Sequence, residues 1–163
     1  MLHGYLLTFS TYASHVQGDS RGSTRYRGGH QEPSETLRAY HLERARGEPV
    51  RLDERDRAIV VQTFVDVCSH RGWTLHAAHV RTEHAHLVVA GGGACDAMMR
   101  DFKAYSSRNL HNCGRFVGQK VWARRGDVRR LNSEAAIVAA KEYVAERQGE
   151  MMACVGFATG TAR

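Results

Sequence analysis

Apolar and polar positions along the chain fall into short stretches whose periods distinguish strand from helix. Residues 4–12, GYLLTFSTY, pack aromatic, aliphatic and β-branched side chains into one run and predict a strand. Residues 14–35 are polar, glycine-rich and almost free of aliphatics, which predicts a long loop; a short polar helix is expected at about 35–46. Over 53–71 the pattern turns helical. Ala58, Val61, Phe64, Val65 and Cys68 share one face, Asp53 stands where an N-cap belongs, and Gly72 is a natural stop. Residues 73–82 and 84–91 read as two strands almost back to back, hence a tight antiparallel hairpin.

Three glycines precede a second helix at about 95–111, with Met98, Met99, Phe102 and Leu110 on its apolar side. Residues 115–131 suggest two short extended pieces about a Gly126-Asp127 turn. Asn132 or Ser133 then caps a third helix, 133–147, with Ala136, Ala140, Tyr143 and Val144 along one stripe. Strand, helix, strand, strand, helix, strand, helix is satisfied by an α+β fold. It predicts a ferredoxin-like antiparallel sheet with helices on one face and an extra C-terminal helix that carries a tyrosine. The expected organisation is one domain over 1–150, a long insertion at about 14–52, and a tail at 151–163 that the pattern does not place.

Composition narrows the function. The chain has 163 residues, 42% hydrophobic and 25% charged, ordinary for a globular domain. No apolar run approaches the roughly 20 residues of a membrane span. The start has neither a basic segment nor a long apolar one, so no secretory signal is expected and a cytoplasmic location is the default. Lys and Arg exceed Asp and Glu by 23 to 17, a surplus that suits a polyanionic partner or a basic surface. The four cysteines form no C-x-x-C pair, which argues against a zinc ribbon or a redox motif.

The first candidate chemistry is His84-Ala85-His86. Two residues apart on a strand, both imidazoles project from one face, as a metal ion requires. Alone the signal is weak, because ten histidines in this length give roughly 0.6 such pairs by chance. His76 and His79, three apart on the neighbouring strand, should face opposite ways, so at most one approaches the pair. The second candidate is a helical tyrosine, Tyr105 or Tyr143, since a phenol beside a divalent cation can act as a nucleophile. Glu146 and Arg147 lie within a helical turn of Tyr143; Gln148 does so only if the helix ends near Gly149.

In VRTEHAHLVVAG, MMRDFKAYSSRNLH and WARRGDVRRLNSEAAIVAAKEYVAERQGE, taken in that order, the chain resembles the HUH endonucleases. Within them it is most similar to single-tyrosine insertion-sequence transposases, relatives of the REP-associated tyrosine transposases. The resemblance spans most of residues 4–150. It implies a ferredoxin-like core and an enzyme that nicks and rejoins single-stranded DNA, often beside a hairpin, through a 5′-phosphotyrosine. It implies a Mg²⁺ or Mn²⁺ ion on His84, His86 and a third ligand matching Gln148. That glutamine stands five residues after the tyrosine where some members have four, which leaves Glu146 as the rival ligand. Tyr143 matches the nucleophile and Tyr105 a DNA-contacting or packing residue. Dimers and monomers both occur in the family, so a homodimer is one expectation.

Phosphate contacts are expected from Arg100, Lys103 and Arg108 and from Arg124, Arg125, Arg129 and Arg130, with Tyr105 and Trp122 stacking on unpaired bases. Arg21, Arg25 and Arg27 in the long loop are further candidates. Two other readings stand beside this one. One is a nucleic-acid-binding protein of the same fold without catalysis. The other is a metal-dependent hydrolase built on His79, Glu83, His84 and His86.

Overall fold

A computed structural model describes residues 4–14, 19–20, 23–24, 29–45, 47–146 and 149–156. Arg21, Arg25, Arg27, Arg147 and Gln148 lie outside the described residues, as does the tail from 157. The elements run β1 (Gly4–Ser10), β2 (Ser23–Thr24), β3 (His30–Gln31), α1 (Glu35–Arg44), α2 (Glu54–Arg71), β4 (Thr74–Val80), β5 (His84–Ala90), α3 (Cys95–Asn112), β6 (Asp127–Leu131), α4 (Glu134–Glu146) and β7 (Ala153–Val155).

Five strands form one antiparallel sheet in the order β6-β1-β5-β4-β7. Without its outermost strand this is the ferredoxin-like arrangement, with α2 and α3 as the two crossovers. The insertion between β1 and α2 adds α1 and the small β2-β3 ladder. Residues beyond 150, which the sequence pattern leaves unplaced, supply β7 against β4.

Strand alternation sorts the side chains into two cores. Tyr5, Leu7, Phe9, Ala85, Leu87 and Val89 face α2 and α3, where they meet Val60, Phe64, Met98, Phe102 and Leu110. Leu6, Ala77, Val88 and Leu131 face the other way and are covered by Ile137, Ala140 and Val144 of α4. The helix α4 therefore packs on the sheet's second face. Gly4 on β1 allows close approach: a Cβ there would lie 3.2 Å from Ile137 of the helix.

Local signals explain the helix ends. Asp53 accepts the Asp56 N–H and the Asp56 carboxylate accepts the Asp53 N–H, closing a capping box at the start of α2. Asp56 is fully buried, and its cost is met by Arg115, whose Nε and Nη2 donate at 2.6 and 2.8 Å. Gly72 ends α2 at φ 66°, a left-handed geometry that suits glycine. The Ser133 hydroxyl accepts the Ala136 N–H at 3.1 Å and is the cap of α4.

One expected stripe is rotated. The buried face of α2 holds Val60, Thr63, Phe64, Val67 and Cys68, while Ala58 is exposed and Val61 and Val65 are only half-buried. Apolar residues surround this helix, so spacing alone does not fix which side turns inward. Asp56, fully buried against Arg115, lies on the inward side with the residues of that buried face.

His79 on β4 is buried and pins the second face together. The Met152 N–H donates to its Nε2 at 2.9 Å, so its Nδ1 carries the hydrogen and donates to the Val144 carbonyl at 3.3 Å. Burial pushes its pKa down, opposed by the Val144 bond and aided by Arg81. Its folded-state pKa therefore lies below the unfolded value of about 6.5. The unfolded chain takes up the proton first, so this contribution is fully present above that value and drains as pH falls toward the folded pKa. Melting followed by circular dichroism should show a lower Tm at pH 5 than at pH 7.5. His79→Gln should be less stable at pH 7.5 and show a flatter pH response; an equal slope in both proteins would contradict the assignment.

Candidate active site

β5 places His84 and His86 on the α4 face, because Ala85, Leu87 and Val89 between and beyond them are committed to the other core. Their ring centroids are 4.8 Å apart with the planes at 84°. Thr8 on β1 is the register partner of His86, and its hydroxyl forms a 3.0 Å hydrogen bond with Nδ1. On the other flank His86 is in register with His79. His86 itself is only 5% exposed.

Tyr143 stands on α4 directly before the buried Val144 that anchors the helix to His79. Its ring centroid lies 6.4 Å from that of His86, with the planes at 89°. It is 42% exposed, so the phenol borders both the imidazole pair and solvent. Tyr105 stands on α3, across the sheet from this pair, packed on the first core with the Arg108 guanidinium 5.1 Å over its ring. The structure therefore brings Tyr143, and not Tyr105, to the histidines.

Nothing among the described residues adds a third metal ligand of the usual acidic, thiol or imidazole kind. No group of three or more His, Cys, Asp and Glu that could hold a metal ion occurs among them. Glu146 is exposed at the last position of α4, and Gln148 lies outside the described residues. The hydrolase set is not assembled. Both His79 nitrogens bind backbone groups, and Glu83 pairs with Arg51. His79 faces the α4 side as the register partner of His86, and a bulge between Leu75 and Ala77 takes His76 out of the alternation. Simple spacing does not reveal that bulge. Thr8 was also missed; its signal is a polar residue sharing a strand face with Leu6, visible only once the strand order is known.

Among solved structures, a REP-associated tyrosine transposase bound to a REP hairpin superposes with a TM-score of 0.51 at 13% identity. The match covers 86% of this chain and 63% of that one, so this chain spans less than two thirds of the other's length. The fold is that of a REP-associated tyrosine transposase. A candidate transposase from Deinococcus radiodurans matches at a TM-score of 0.47 and 14% identity, over 88% of this chain and 89% of that one; that likeness is too loose to carry weight. No protein-family model and no curated protein matches the sequence.

On this transposase fold the basic residues gather away from the histidines. A groove of about 860 Å³ runs between α3 and residues 118–128, with Arg100, Arg124 and Arg125 on its walls. Lys103 and Trp122 also border it but are differently employed from what their types suggest. The Lys103 ammonium donates to the carbonyls of Ala123 and Arg125 at 3.0 Å and of Arg124 at 3.5 Å. Its three donors are thus directed at the chain, and burial lowers its pKa. Trp122 is 6% exposed, edge-on to Phe9 at 4.8 Å, and its indole N–H donates to Ser106. It is a core residue and no platform for a base, because the strand at 121–123 pairs with residues 10–12 and turns the ring inward.

Arg129 and Arg130 are exposed on β6 and point to opposite faces, Arg130 over Tyr5 on the α3 side and Arg129 beside Leu6 on the α4 side. Gly126 precedes them where a Cβ would come 2.8 Å from the Thr8 carbonyl, so only glycine lets this turn close. No helix among the described residues is long and apolar enough to cross a membrane.

The two aromatic candidates should separate in stability. Trp122→Ala should cost about 3–5 kcal/mol of unfolding free energy, since it opens a core cavity. Tyr143→Phe should stay within about 0.5 kcal/mol of the parent protein. Denaturant unfolding checks both; equal losses would mean that Tyr143 is a packing residue.

Proposed function

We propose that the protein is a transposase-type enzyme that nicks and rejoins single-stranded DNA, with Tyr143 as nucleophile. The observation that carries this is the placement of an accessible phenol against His86 of the His84–His86 pair, on one face of the sheet. The REP hairpin bound by the structural neighbour supports DNA, beside a hairpin, as the partner.

In this reading the Tyr143 oxygen attacks the scissile phosphorus and the P–O3′ bond breaks. The phenol loses its proton, the departing 3′-oxygen gains one, and the 5′ end stays as a phosphotyrosine. One phosphodiester replaces another, so a second 3′-hydroxyl reverses the step without an energy source. The small α4 residues and His79 hold the phenol at the sheet. Thr8 holds the imidazole.

The donor set fits a divalent cation, since two imidazoles share one face and one of them has its remote nitrogen engaged by a hydroxyl, as is usual for metal-ligating histidines. His84 and His86 would hold Mg²⁺ or Mn²⁺, with Gln148 or Glu146 as third ligand. When bound, the ion supplies electrostatic stabilisation of charge on the phosphate.

The test is incubation with single-stranded DNA flanking the protein's own gene, with Mn²⁺, followed by a denaturing gel. The parent protein and Tyr105→Phe should give a covalent protein–DNA adduct, and Tyr143→Phe none while still binding DNA. An adduct with Tyr143→Phe but none with Tyr105→Phe would reverse the assignment.

The basic groove yields a second expectation. Arg124→Ala should weaken DNA binding and shallow the dependence of log affinity on log salt by about 0.7, the value of one neutralised phosphate on a single strand. Lys103→Met should weaken binding with the slope unchanged, because its ammonium is committed to carbonyls. Fluorescence anisotropy across a salt series reads both, and a slope change of the arginine size in Lys103→Met would place that lysine on the phosphates instead.

A further inference from the structure

We propose that the DNA strand crosses the sheet at the β6 edge, held by Arg130 on one face and by Arg129 on the other. The inference rests on the reading that the protein binds single-stranded DNA and that Tyr143 attacks it. That reading has a gap to bridge. The basic groove lies on the α3 side of the sheet, whereas His86 and Tyr143 meet on the α4 side. A strand that occupies both must pass around an edge. The sheet has two, β6 and β7. β7 reads Ala-Cys-Val and has no cation to offer a phosphate.

β6 is the edge the groove runs into, since Gly126 and Val128 line it. Val128 is in register with Leu7 and packs on the first core. Arg130, two residues on, therefore projects from the same face, its guanidinium 5.9 Å from the centroid of the Tyr5 ring. Leu131 belongs to the second core, so Arg129 projects from the α4 face beside Leu6. Both arginines are exposed, and neither forms an ion pair among the described residues. A planar guanidinium suits each side of the crossing, because its fork binds phosphate oxygens in pairs. From β6 to β5 is two strand spacings, roughly 10 Å, with Thr8 between Asp127 and His86 in register. Asp127 is the exposed carboxylate of this edge on the α4 side, and its charge opposes a passing phosphate. Charged side chains on an edge strand also discourage pairing with other chains, a role that involves no DNA.

The test uses the full chain and a fluorescent single strand with the sequence flanking the protein's own gene, one methylphosphonate being placed at each phosphate in turn. A neutralised phosphate that meets an arginine weakens binding by the parent protein and has no further effect once that arginine is replaced. Arg130→Gln and Arg129→Gln should each weaken binding about 2- to 5-fold, the range of one exposed ion pair, and shallow the salt slope by about 0.7. Asp127→Asn should bind more tightly. The phosphates that couple to Arg124, Arg130 and Arg129 should fall in that order along the strand, with the last nearest the position at which the adduct forms. Unchanged affinity and slope in both arginine variants, with Arg124→Ala still weakened, overturns the crossing and leaves these arginines as protection of the edge. A different order of the three phosphates overturns it as well, and so does weaker binding by Asp127→Asn, which would assign the effect to strand packing. If the parent protein binds the strand and yields no adduct, the nicking reading fails, while the order of the three phosphates still decides whether the strand crosses β6.

Discussion

One buried imidazole holds the functional face in place. His79 accepts from the Met152 N–H and donates to the Val144 carbonyl, so it joins β4, the last turn of α4 and the segment entering β7. Few side chains can do this, since the site needs one donor and one acceptor at opposite ends of a rigid ring. Val144 is adjacent to Tyr143, and His79 is in register with His86. The same contact that ends the helix therefore sets where the phenol stands relative to the pair. Without it the buried Val144 carbonyl would lose this partner, at a cost of about 1–3 kcal/mol, and the half-buried Met152 N–H would lose its own.

The sheet divides the labour of the molecule. Across its α4 side a polar row runs Asp127, Thr8, His86, His79 and Cys154 by strand register, through a face otherwise filled by Leu6, Ala77, Val88 and Leu131. Its other side is apolar apart from Arg130 at the β6 edge, and bears α2 and α3. A ferredoxin-like sheet is usually open on one side, and here α4 covers only part of that side. Tyr143 is open to solvent on this side, while His79 is fully buried and His86 nearly so.

Much of this was legible from residue patterns. Asp53, Gly72 and Ser133 mark helix ends by well-defined local chemistry, and the period-two alternation of HAHLVVA commits both histidines to one face. The ordering of elements was enough for the ferredoxin-like sheet. What was hidden depends on distant pairing. The bulge at His76 breaks the alternation from which opposite faces are expected for His76 and His79, and a stacked Trp122 becomes a core Trp122 because residues 121–123 pair with 10–12. The inner face of α2 includes Asp56, whose partner Arg115 stands 59 residues away in the chain. In each case the deciding partner lies far off in sequence, where no periodicity can point to it.

Lys103 and the arginines show why charge type matters as much as charge count. An ammonium on a flexible stem can fold back, sit over the Phe9 ring with Nζ 5.3 Å from its centroid, and satisfy three donors on three successive carbonyls. A guanidinium has five donors in a fixed planar fork and cannot be consumed in the same way by one turn of chain. The lysine is therefore suited to shaping the loop at 123–125. The arginines the loop carries, Arg124 and Arg125, remain at the groove surface. A basic surplus read from composition counts all three alike, yet the planar pair is presented outward, and the half-buried lysine holds the turn of chain that presents it.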